Sequence, residues 1–155
     1  MPNMLSVQAL IGVFMDYGVS TNAHQVIDIL IIDDDRPTCD FLSMLLTTAR
    51  YRVLDTQRGS NALALIQHYQ PRLVLIDIHL PDWNGLEFAQ HLSMQTELPP
   101  PFILLMSAKP LPSALANQPW SYVEKPFDIR SLLQQIDRLL HLPAAHNLRR
   151  MWHGT

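Results

Sequence analysis

The chain has 155 residues, of which 48% are hydrophobic and 16% charged, which is typical of a folded globular protein and excludes a disordered one. Its length suits one domain with a complete core and is too short for two ordinary domains. The net charge of -3 excludes the basic surface that nonspecific nucleic-acid binding needs, and a single cysteine, Cys39, excludes an internal disulfide and a cysteine-cluster zinc site.

Residues 1–26 are predicted to be an extension outside the domain. The first 35 residues contain no Lys or Arg, and the apolar part is too short to span a bilayer, so we expect neither a signal peptide nor a membrane anchor but a cytoplasmic protein. Two interpretations stay open: a short helix or loose terminus beside the domain, or a contact surface for a partner or second copy. Both concern an apolar stripe at helical spacing, formed by Met4, Val7, Ile11, Phe14 and Met15.

The domain itself, predicted over residues 27–141, alternates apolar strands with amphipathic helices. In chain order the pattern predicts strand Ile27–Ile32, helix Arg36–Tyr51, strand Tyr51–Leu54, helix Ala62–Tyr69, a strand beginning at Leu73, helix Leu86–Met94, strand Phe102–Met106, strand Ser121–Glu124 and a last helix that ends at His141.

Several residues mark the ends and inward faces of these elements. Ser60 and Asp128 are predicted N-caps, and Asp35 is interpreted as a solvated or helix-capping residue. Helical spacing assigns the inward faces to Phe41, Met44, Leu45 and Thr48 in the first helix, and to Leu132, Leu133, Ile136, Leu139 and Leu140 in the last.

The segment between the fourth and fifth strands is irregular. Residues 110–120 include three prolines, which leave room for at most a turn or two of helix, so a shortened fourth helix is expected. Residues 142–155 are expected to be a C-terminal tail. These 14 residues are too few for a helix-turn-helix domain, so direct DNA binding is not expected.

The order of the elements predicts the fold class. Strands that alternate with helices indicate an α/β protein with a parallel sheet and right-handed crossovers. Acidic residues follow the first and third strands, which suits a flavodoxin-like, doubly wound sheet of five strands in the order 2-1-3-4-5. In that order strands 1 and 3 are neighbours at the switch point, where ligands bind.

Polar residues follow four of the five strands. Asp33 and Asp34 leave the first strand, Asp77 the third, Ser107 the fourth and Lys125 the fifth. Converging carboxylates repel each other and need a cation, and hard oxygen ligands suit Mg²⁺. A carboxylate beside Mg²⁺, an ammonium and a hydroxyl is a nucleophile for phosphoryl transfer, with an aspartyl phosphate as product. Each of these residues, taken alone, could equally belong to a turn or a helix cap. Their joint position at one edge of the sheet favours the phosphoryl site.

This pattern resembles the receiver domain of two-component response regulators, the CheY-like variant of the flavodoxin-like fold. The resemblance covers about residues 27–141. The motifs that carry it are Asp33-Asp34, Asp77 with Leu80-Pro81-Asp82 and Gly85, Ser107-Ala108, and Lys125-Pro126-Phe127.

The resemblance implies a role for each matching residue. Asp77 would be the phosphoacceptor, with Asp34 as the direct Mg²⁺ ligand and Asp33 beside it or acting through water. The main-chain carbonyl of His79 would complete the metal site. The other implied roles are a phosphoryl contact by Ser107, a bridge to the phosphoryl group by Lys125, an aromatic switch at Tyr122, and turns at Pro81, Gly85 and Pro126.

The function that this resemblance implies is a stand-alone receiver in a two-component system. It would accept a phosphoryl group from a sensor histidine kinase or a histidine phosphotransfer protein and signal through a downstream protein, with a homodimer as a further candidate assembly. We expect no enzymatic activity beyond its own phosphorylation and dephosphorylation, and no direct contact with nucleic acid or membrane. The shortened fourth helix keeps an alternative open: an interaction or dimerisation module of the same fold that works without phosphorylation.

Two other uses of the pattern are disfavoured. A haloacid-dehalogenase-like phosphatase needs a second Asp two residues after the nucleophile, where this chain has His79. A flavin phosphate needs a loop rich in free N–H groups, whereas the first strand opens onto three aspartates.

Overall fold

Five strands and four α-helices are assigned in the structure, a computed structural model that describes residues 26–95, 99–111, 113 and 117–142. Among these residues, helices alternate with strands except between the fourth and fifth strands. All neighbouring strands are parallel, and their order in the sheet is β2-β1-β3-β4-β5. The predicted flavodoxin-like, doubly wound fold is therefore confirmed. The elements are β1 (Ile29–Ile32), α1 (Arg36–Thr48), β2 (Val53–Thr56), α2 (Gly59–Tyr69), β3 (Leu73–Asp77), α3 (Gly85–Met94), β4 (Phe102–Ser107), β5 (Ser121–Glu124) and α4 (Ile129–Leu140).

Two hydrophobic cores lie on opposite faces of the sheet. The central strands β1, β3 and β4 are buried along their whole length, as their continuous apolar runs predict. Because successive side chains in a strand point to opposite faces, Ile29 and Ile31 join the core under α1 and α4, whereas Leu30 and Ile32 join the core under α2 and α3. The C-terminal edge of the sheet, between these two helical layers, carries the polar residues that follow the strands.

The buried face of α1 differs from the predicted one. Cys39, Leu42 and Leu46 are fully buried, whereas Phe41 is 37% exposed and Met44 66% exposed. Of the predicted face, only Leu45 packs against the core, and Thr48 is exposed. The prediction was wrong because two apolar stripes run along this helix at nearly the same spacing, and periodicity alone does not say which of them faces the sheet.

Because Leu42 rather than Met44 faces the core, truncating these two side chains of α1 to alanine should affect stability unequally. Leu42→Ala should lower the free energy of unfolding by about 2–5 kcal/mol, because it leaves a cavity in the core. Met44→Ala should change it by less than about 0.5 kcal/mol, because the side chain is mostly in solvent. Urea denaturation followed by circular dichroism measures both, and a larger loss for Met44→Ala would restore the original assignment.

The strand at the sheet edge starts later than predicted. β2 begins at Val53 rather than Tyr51, since α1 ends in a turn in which Arg50 has a φ of 73°. The strand also includes Asp55, whose carboxylate accepts hydrogen bonds from Arg36 at 3.1 Å and from Ser43 at 3.2 Å. Because these two residues of α1 bind the Asp55 carboxylate, the strand continues past Leu54, where the sequence pattern predicted its end.

Helix caps agree with the predictions in two of three positions. Asp35 accepts a hydrogen bond from the Thr38 N–H at 3.0 Å, and Asp128 accepts one from the Ser131 N–H at 2.7 Å. The prediction for Ser60 was wrong, because α2 already begins at Gly59. The N-cap residue of α2, Arg58, makes no side-chain cap hydrogen bond.

Some predictions fall outside the described residues. The apolar stripe from Met4 to Met15 and the tail beyond Leu142 lie outside them, as do residues 112 and 114–116 of the connection between β4 and β5. No α-helix is assigned to the remaining residues of that connection, so the shortened fourth helix stays a prediction. No helix in the described part of the chain has the length and hydropathy to cross a membrane.

Candidate functional site

Three carboxylates meet at the C-terminal ends of β1 and β3. These strands are neighbours, and Ile32 pairs with Ile76, so the register brings Asp33 beside Asp77. One carboxylate oxygen each from Asp33, Asp34 and Asp77 lies within 4.8 Å of the other two. Asp33 is fully buried and Asp77 is 7% exposed, whereas Asp34 is open to solvent. The structure thus brings together the three acids that the sequence analysis selected.

Lys125 supplies the positive charge of this edge. It follows β5, in which Glu124 pairs with Ser107 at the end of β4. The Lys125 Nζ donates to an Asp33 oxygen at 2.6 Å and lies 3.7 Å from an Asp77 oxygen. This one ammonium contacts two of the three carboxylates, and the cluster keeps a net negative charge when all three are ionised.

The surroundings of Asp77 favour its protonated form. Burial, followed by the negative charge of Asp33, raises the pKa of Asp77 above its ordinary value, although Lys125 and the His79 N–H act in the opposite direction. Because the pKa is higher in the folded state than in the unfolded state, ionising Asp77 destabilises the fold as the pH rises through this range. The cost begins above the ordinary pKa of an aspartate and is complete once the pH exceeds the folded-state pKa of Asp77.

Asp77→Asn is therefore expected to raise the stability of the metal-free protein at neutral pH. The amide carries no charge, and its oxygen can still accept the hydrogen bond that the His79 N–H makes at 3.3 Å. Below the ordinary pKa of an aspartate the two proteins should be equally stable. Thermal unfolding in chelator at several pH values measures this. Asp40→Asn, which loses an exposed ion pair with Arg36, is a control that should change stability by less than about 1 kcal/mol. A variant less stable than wild type at neutral pH would contradict the electrostatic account.

The loop after Asp77 is held by a glycine that allows two backbones to approach closely. A Cβ on Gly85 would lie 2.2 Å from the Asp77 carbonyl oxygen and 2.7 Å from the Ile78 Cα. The Gly85 N–H donates to the Ile78 carbonyl at 2.8 Å, and His79 pairs with Asn84 across the loop. Gly85, predicted as a turn residue, is the first residue of α3, and its missing Cβ is what allows this close approach to the backbone of Asp77.

Ser107 and Tyr122 are joined through one loop residue. Ser107 is buried at the end of β4, and its hydroxyl accepts a hydrogen bond from the Lys109 N–H at 3.1 Å. The half-buried Tyr122 donates its hydroxyl hydrogen to the Lys109 carbonyl at 2.7 Å. The residues predicted as phosphoryl contact and switch therefore both hold the backbone of the loop after β4.

The sequence analysis missed the main contacts of Asp82, which it treated only as part of a turn. Its two carboxylate oxygens accept hydrogen bonds from the Gly59 and Ser60 N–H groups, each at 3.0 Å, and so cap α2 from another loop. Burial raises the pKa of Asp82, but the hydrogen bonds from Ser60 and Gly59 have the larger combined effect, so the pKa lies below its ordinary value. No local motif signals such a cap, because donor and acceptor are 22 and 23 residues apart.

A shallow groove opens beside the acids. It has a volume of about 480 Å³ and runs along the β3–α3 loop from Asp34 past His79 to Trp83 and Glu87. The Trp83 ring packs edge-on against Phe88, with ring centroids 5.0 Å apart. Of the residues predicted to form turns, Pro81 lines this groove, and Pro126 follows Lys125 through a cis peptide bond.

This chain is similar to known proteins in both sequence and fold. Residues 29–137 match the family model described as the response regulator receiver domain. Chemotaxis protein CheY4 of Vibrio cholerae is 25% identical, with a TM-score of 0.66 over 74% of this chain and 98% of that one. A CheY-like receiver domain protein from Methanospirillum hungatei is 26% identical, with a TM-score of 0.65 over 75% and 94%. The signal receiver domain of a histidine kinase from Syntrophus aciditrophicus, 21% identical with a TM-score of 0.66 over 74% and 90%, shares the fold.

Proposed function

The chain belongs to the family of response regulator receiver domains, and on this premise we propose that it accepts a phosphoryl group on Asp77 and signals through protein–protein contacts. The surroundings of Asp77 carry the proposal. This carboxylate is nearly buried, shares an edge with Asp33 and Asp34, and has the Lys125 ammonium 3.7 Å away. Receiver domains are signalling domains, and we propose no catalytic activity beyond the domain's own phosphorylation and dephosphorylation.

In the proposed reaction the Asp77 carboxylate attacks the phosphorus of a phosphohistidine on a histidine kinase or phosphotransfer protein. A P–O bond to Asp77 forms, the P–N bond of the donor breaks, and its electron pair leaves with the imidazole nitrogen. Lys125 lies near enough to offset negative charge on the transferred oxygens, which is the main task in this chemistry. Hydrolysis of the aspartyl phosphate would later return the free carboxylate and release phosphate.

The acids fit a hard divalent cation. Three carboxylates share a site with a single lysine, and two of them are buried, so their mutual repulsion favours a bound cation. We propose that Asp33, Asp34, Asp77 and the main-chain carbonyl of His79 hold Mg²⁺, whose oxygen preference they match. When bound, this ion would supply positive charge beside the transferred phosphoryl oxygens.

Magnesium is therefore expected to stabilise the fold. At a Mg²⁺ concentration about 100 times the Kd, the free energy of unfolding should rise by about 2.7 kcal/mol, because only the folded chain brings the acids together. Thermal unfolding with increasing MgCl₂ measures the effect. Asp34→Asn should reduce it strongly, and an unchanged midpoint in the wild-type protein would contradict the metal assignment.

Ser107 and Tyr122 would couple the phosphoryl group to the surface. The Ser107 hydroxyl is proposed to donate its hydrogen to a phosphoryl oxygen, and its turn toward that group would weaken the hydrogen bond that it now accepts from the Lys109 N–H. Because Tyr122 holds the Lys109 carbonyl, a shift of this loop would release the tyrosine hydroxyl and free its ring to move. Tyr122 is accordingly proposed as the switch residue.

The phosphodonor and the output partner are proposed to be proteins of the cytoplasm. The exposed apolar side chains of Phe41 and Met44 lie on α1, the helix that begins two residues after Asp34, and offer a contact surface for such a partner. The net charge of -3 gives no support for a nucleic-acid partner. A downstream protein or a second copy of the chain would then read the phosphorylated state.

Incubation with Mg²⁺ and acetyl phosphate tests the proposed function. Intact-mass measurement should show the gain of one phosphoryl group by the wild-type protein and no gain by Asp77→Asn. Chelation of Mg²⁺ should abolish the labelling. A wild type that stays unmodified, in the presence of Mg²⁺ and with a folded circular dichroism spectrum, would overturn the proposal and favour a phosphorylation-independent interaction module.

A further inference from the structure

We propose that Asp82 is a positioning residue for the phosphoryl-accepting site: by capping α2, it fixes the β3–α3 loop so that His79 keeps the orientation needed at the metal site. This inference rests on the proposed function, and it adds a residue whose side chain touches neither the acids nor Lys125. It depends on three features of the loop: the hydrogen bonds at Asp82, the packing beside it, and its link back to Asp77.

The hydrogen bonds of Asp82 use both carboxylate oxygens. The Gly59 and Ser60 N–H groups that they accept from belong to the first turn of α2, where backbone donors have no partner within the helix. Since the N-cap residue Arg58 offers no side-chain bond, Asp82 takes the place of a cap. A carboxylate at the positive end of a helix is also favoured electrostatically, so the loop and the helix stabilise each other.

Packing reinforces this attachment. A Cβ added to Gly59 would lie 3.3 Å from the Trp83 Cβ and 3.7 Å from an Asp82 oxygen, so the loop lies directly against the start of α2. Trp83 also packs edge-on against Phe88 of α3. The part of the loop at Asp82 and Trp83 thus packs between α2 and α3.

The first part of the loop, at Ile78 and His79, is bonded to Asp77, the proposed phosphoacceptor, and to the end of the loop. His79 donates its N–H to Asp77 at 3.3 Å and pairs with Asn84, and the Gly85 N–H bonds to the Ile78 carbonyl at 2.8 Å. The short stretch between Asp77 and Asp82 is therefore fixed at both ends. If the Asp82 end is released, the backbone of His79 gains freedom relative to Asp77, while the acids themselves stay on their strands.

The expected consequence is a weaker metal site in a protein that still folds. Residues that orient metal ligands without touching the ion typically change metal affinity or activity about 10–100-fold when they are removed. Asp82→Ala should raise the Mg²⁺ Kd by about tenfold, at the lower end of this range. It should also slow labelling by acetyl phosphate at a fixed, subsaturating Mg²⁺ concentration and speed amide hydrogen exchange at Gly59 and Ser60.

Isothermal titration with Mg²⁺ tests the inference on wild type, Asp82→Ala, Asp82→Asn and a matched control, Asp128→Ala. The control removes the equivalent cap of α4, which accepts from the Ser131 N–H, and leaves the β3–α3 loop untouched. It should lower the melting temperature as Asp82→Ala does but keep the wild-type Kd. Asp82→Asn removes the charge and retains one acceptor oxygen, so its Kd should lie between those of wild type and Asp82→Ala.

The outcomes separate this inference from the function on which it rests. A wild type that neither binds Mg²⁺ nor gains a phosphoryl group would overturn the proposed function and the role of Asp82 together. If wild type does both, an unchanged Kd in Asp82→Ala would overturn the positioning role alone and leave Asp82 as a helix cap. Equal Kd values for Asp82→Asn and Asp82→Ala would also overturn it, because they would indicate loss of charge rather than loss of the hydrogen bonds.

Discussion

Lys125→Met is expected to lower the free energy of unfolding by about 3–5 kcal/mol in the absence of Mg²⁺, because it leaves a buried carboxylate without its counter-charge. Asp33 is fully buried, and the Lys125 ammonium donates to it at 2.6 Å. Methionine keeps the length and apolar stem of lysine, so the loss measures the charge and the hydrogen bond rather than packing. Urea denaturation in chelator gives the value.

The same variant should accept phosphoryl groups slowly. Removing one group that stabilises a developing negative charge typically costs about 10²–10³-fold in rate, and we expect a reduction of this order in labelling by acetyl phosphate. Saturating Mg²⁺ should recover part of the lost stability, since a divalent cation offsets the same carboxylates. Lys109→Met removes the exposed lysine after β4 and should leave stability nearly unchanged. If Lys125→Met proved as stable as wild type, Asp33 would not depend on the ammonium.

Gly85→Ala is expected to destabilise the chain by about 3 kcal/mol or more, at or above the upper end of the usual range for overpacking. The added Cβ would lie 2.2 Å from the Asp77 carbonyl oxygen and 2.7 Å from the Ile78 Cα, and neither backbone atom can rotate away. The loop or the end of β3 must therefore shift, and Asp77 with it. Labelling by acetyl phosphate should fall together with stability.

Gly59→Ala is the matched control for that substitution. Gly59 is the first residue of α2, and the atom nearest to an added Cβ is the Trp83 Cβ at 3.3 Å, so a shift of a few tenths of an ångström accommodates it. Alanine is favoured over glycine by up to about 1 kcal/mol in a helix interior, and part of this preference at the first position offsets the strain. Gly59→Ala should thus keep stability within about 1 kcal/mol of wild type. Equal losses for the two variants would show that contact with Asp77 is not what requires Gly85.

The acids and the lysine could be selected from the sequence because the fold gives their position little freedom. Once strands alternate with helices, the sheet is parallel and the residues after its strands lie at one edge. Asp33 and Asp77 each follow an apolar run directly, and Lys125 directly follows the short strand that ends at Glu124. An error of one or two residues in a strand boundary therefore does not move them elsewhere. Their closeness therefore follows from topology rather than from details of packing.

The errors arose where a choice depends on contacts distant in sequence. The face of α1 was assigned to Phe41 and Met44 although Leu42 is the buried residue, because packing on the sheet and not periodicity decides between two apolar stripes. Ser60 was chosen as a cap from local spacing, whereas the cap comes from Asp82 on another loop. The steric reason for Gly85 is likewise a distance to another backbone segment, which no local pattern contains.

Locating the phosphoryl group within the chain tests the central claim most directly. After incubation with Mg²⁺ and acetyl phosphate, borohydride reduction converts an aspartyl phosphate to homoserine, which peptide mass spectrometry assigns to one residue. We predict homoserine at position 77 and nowhere else in the chain. Homoserine at Asp33 or Asp34 with Asp77 intact, or its absence from every peptide, would contradict the assignment of Asp77 as the phosphoacceptor.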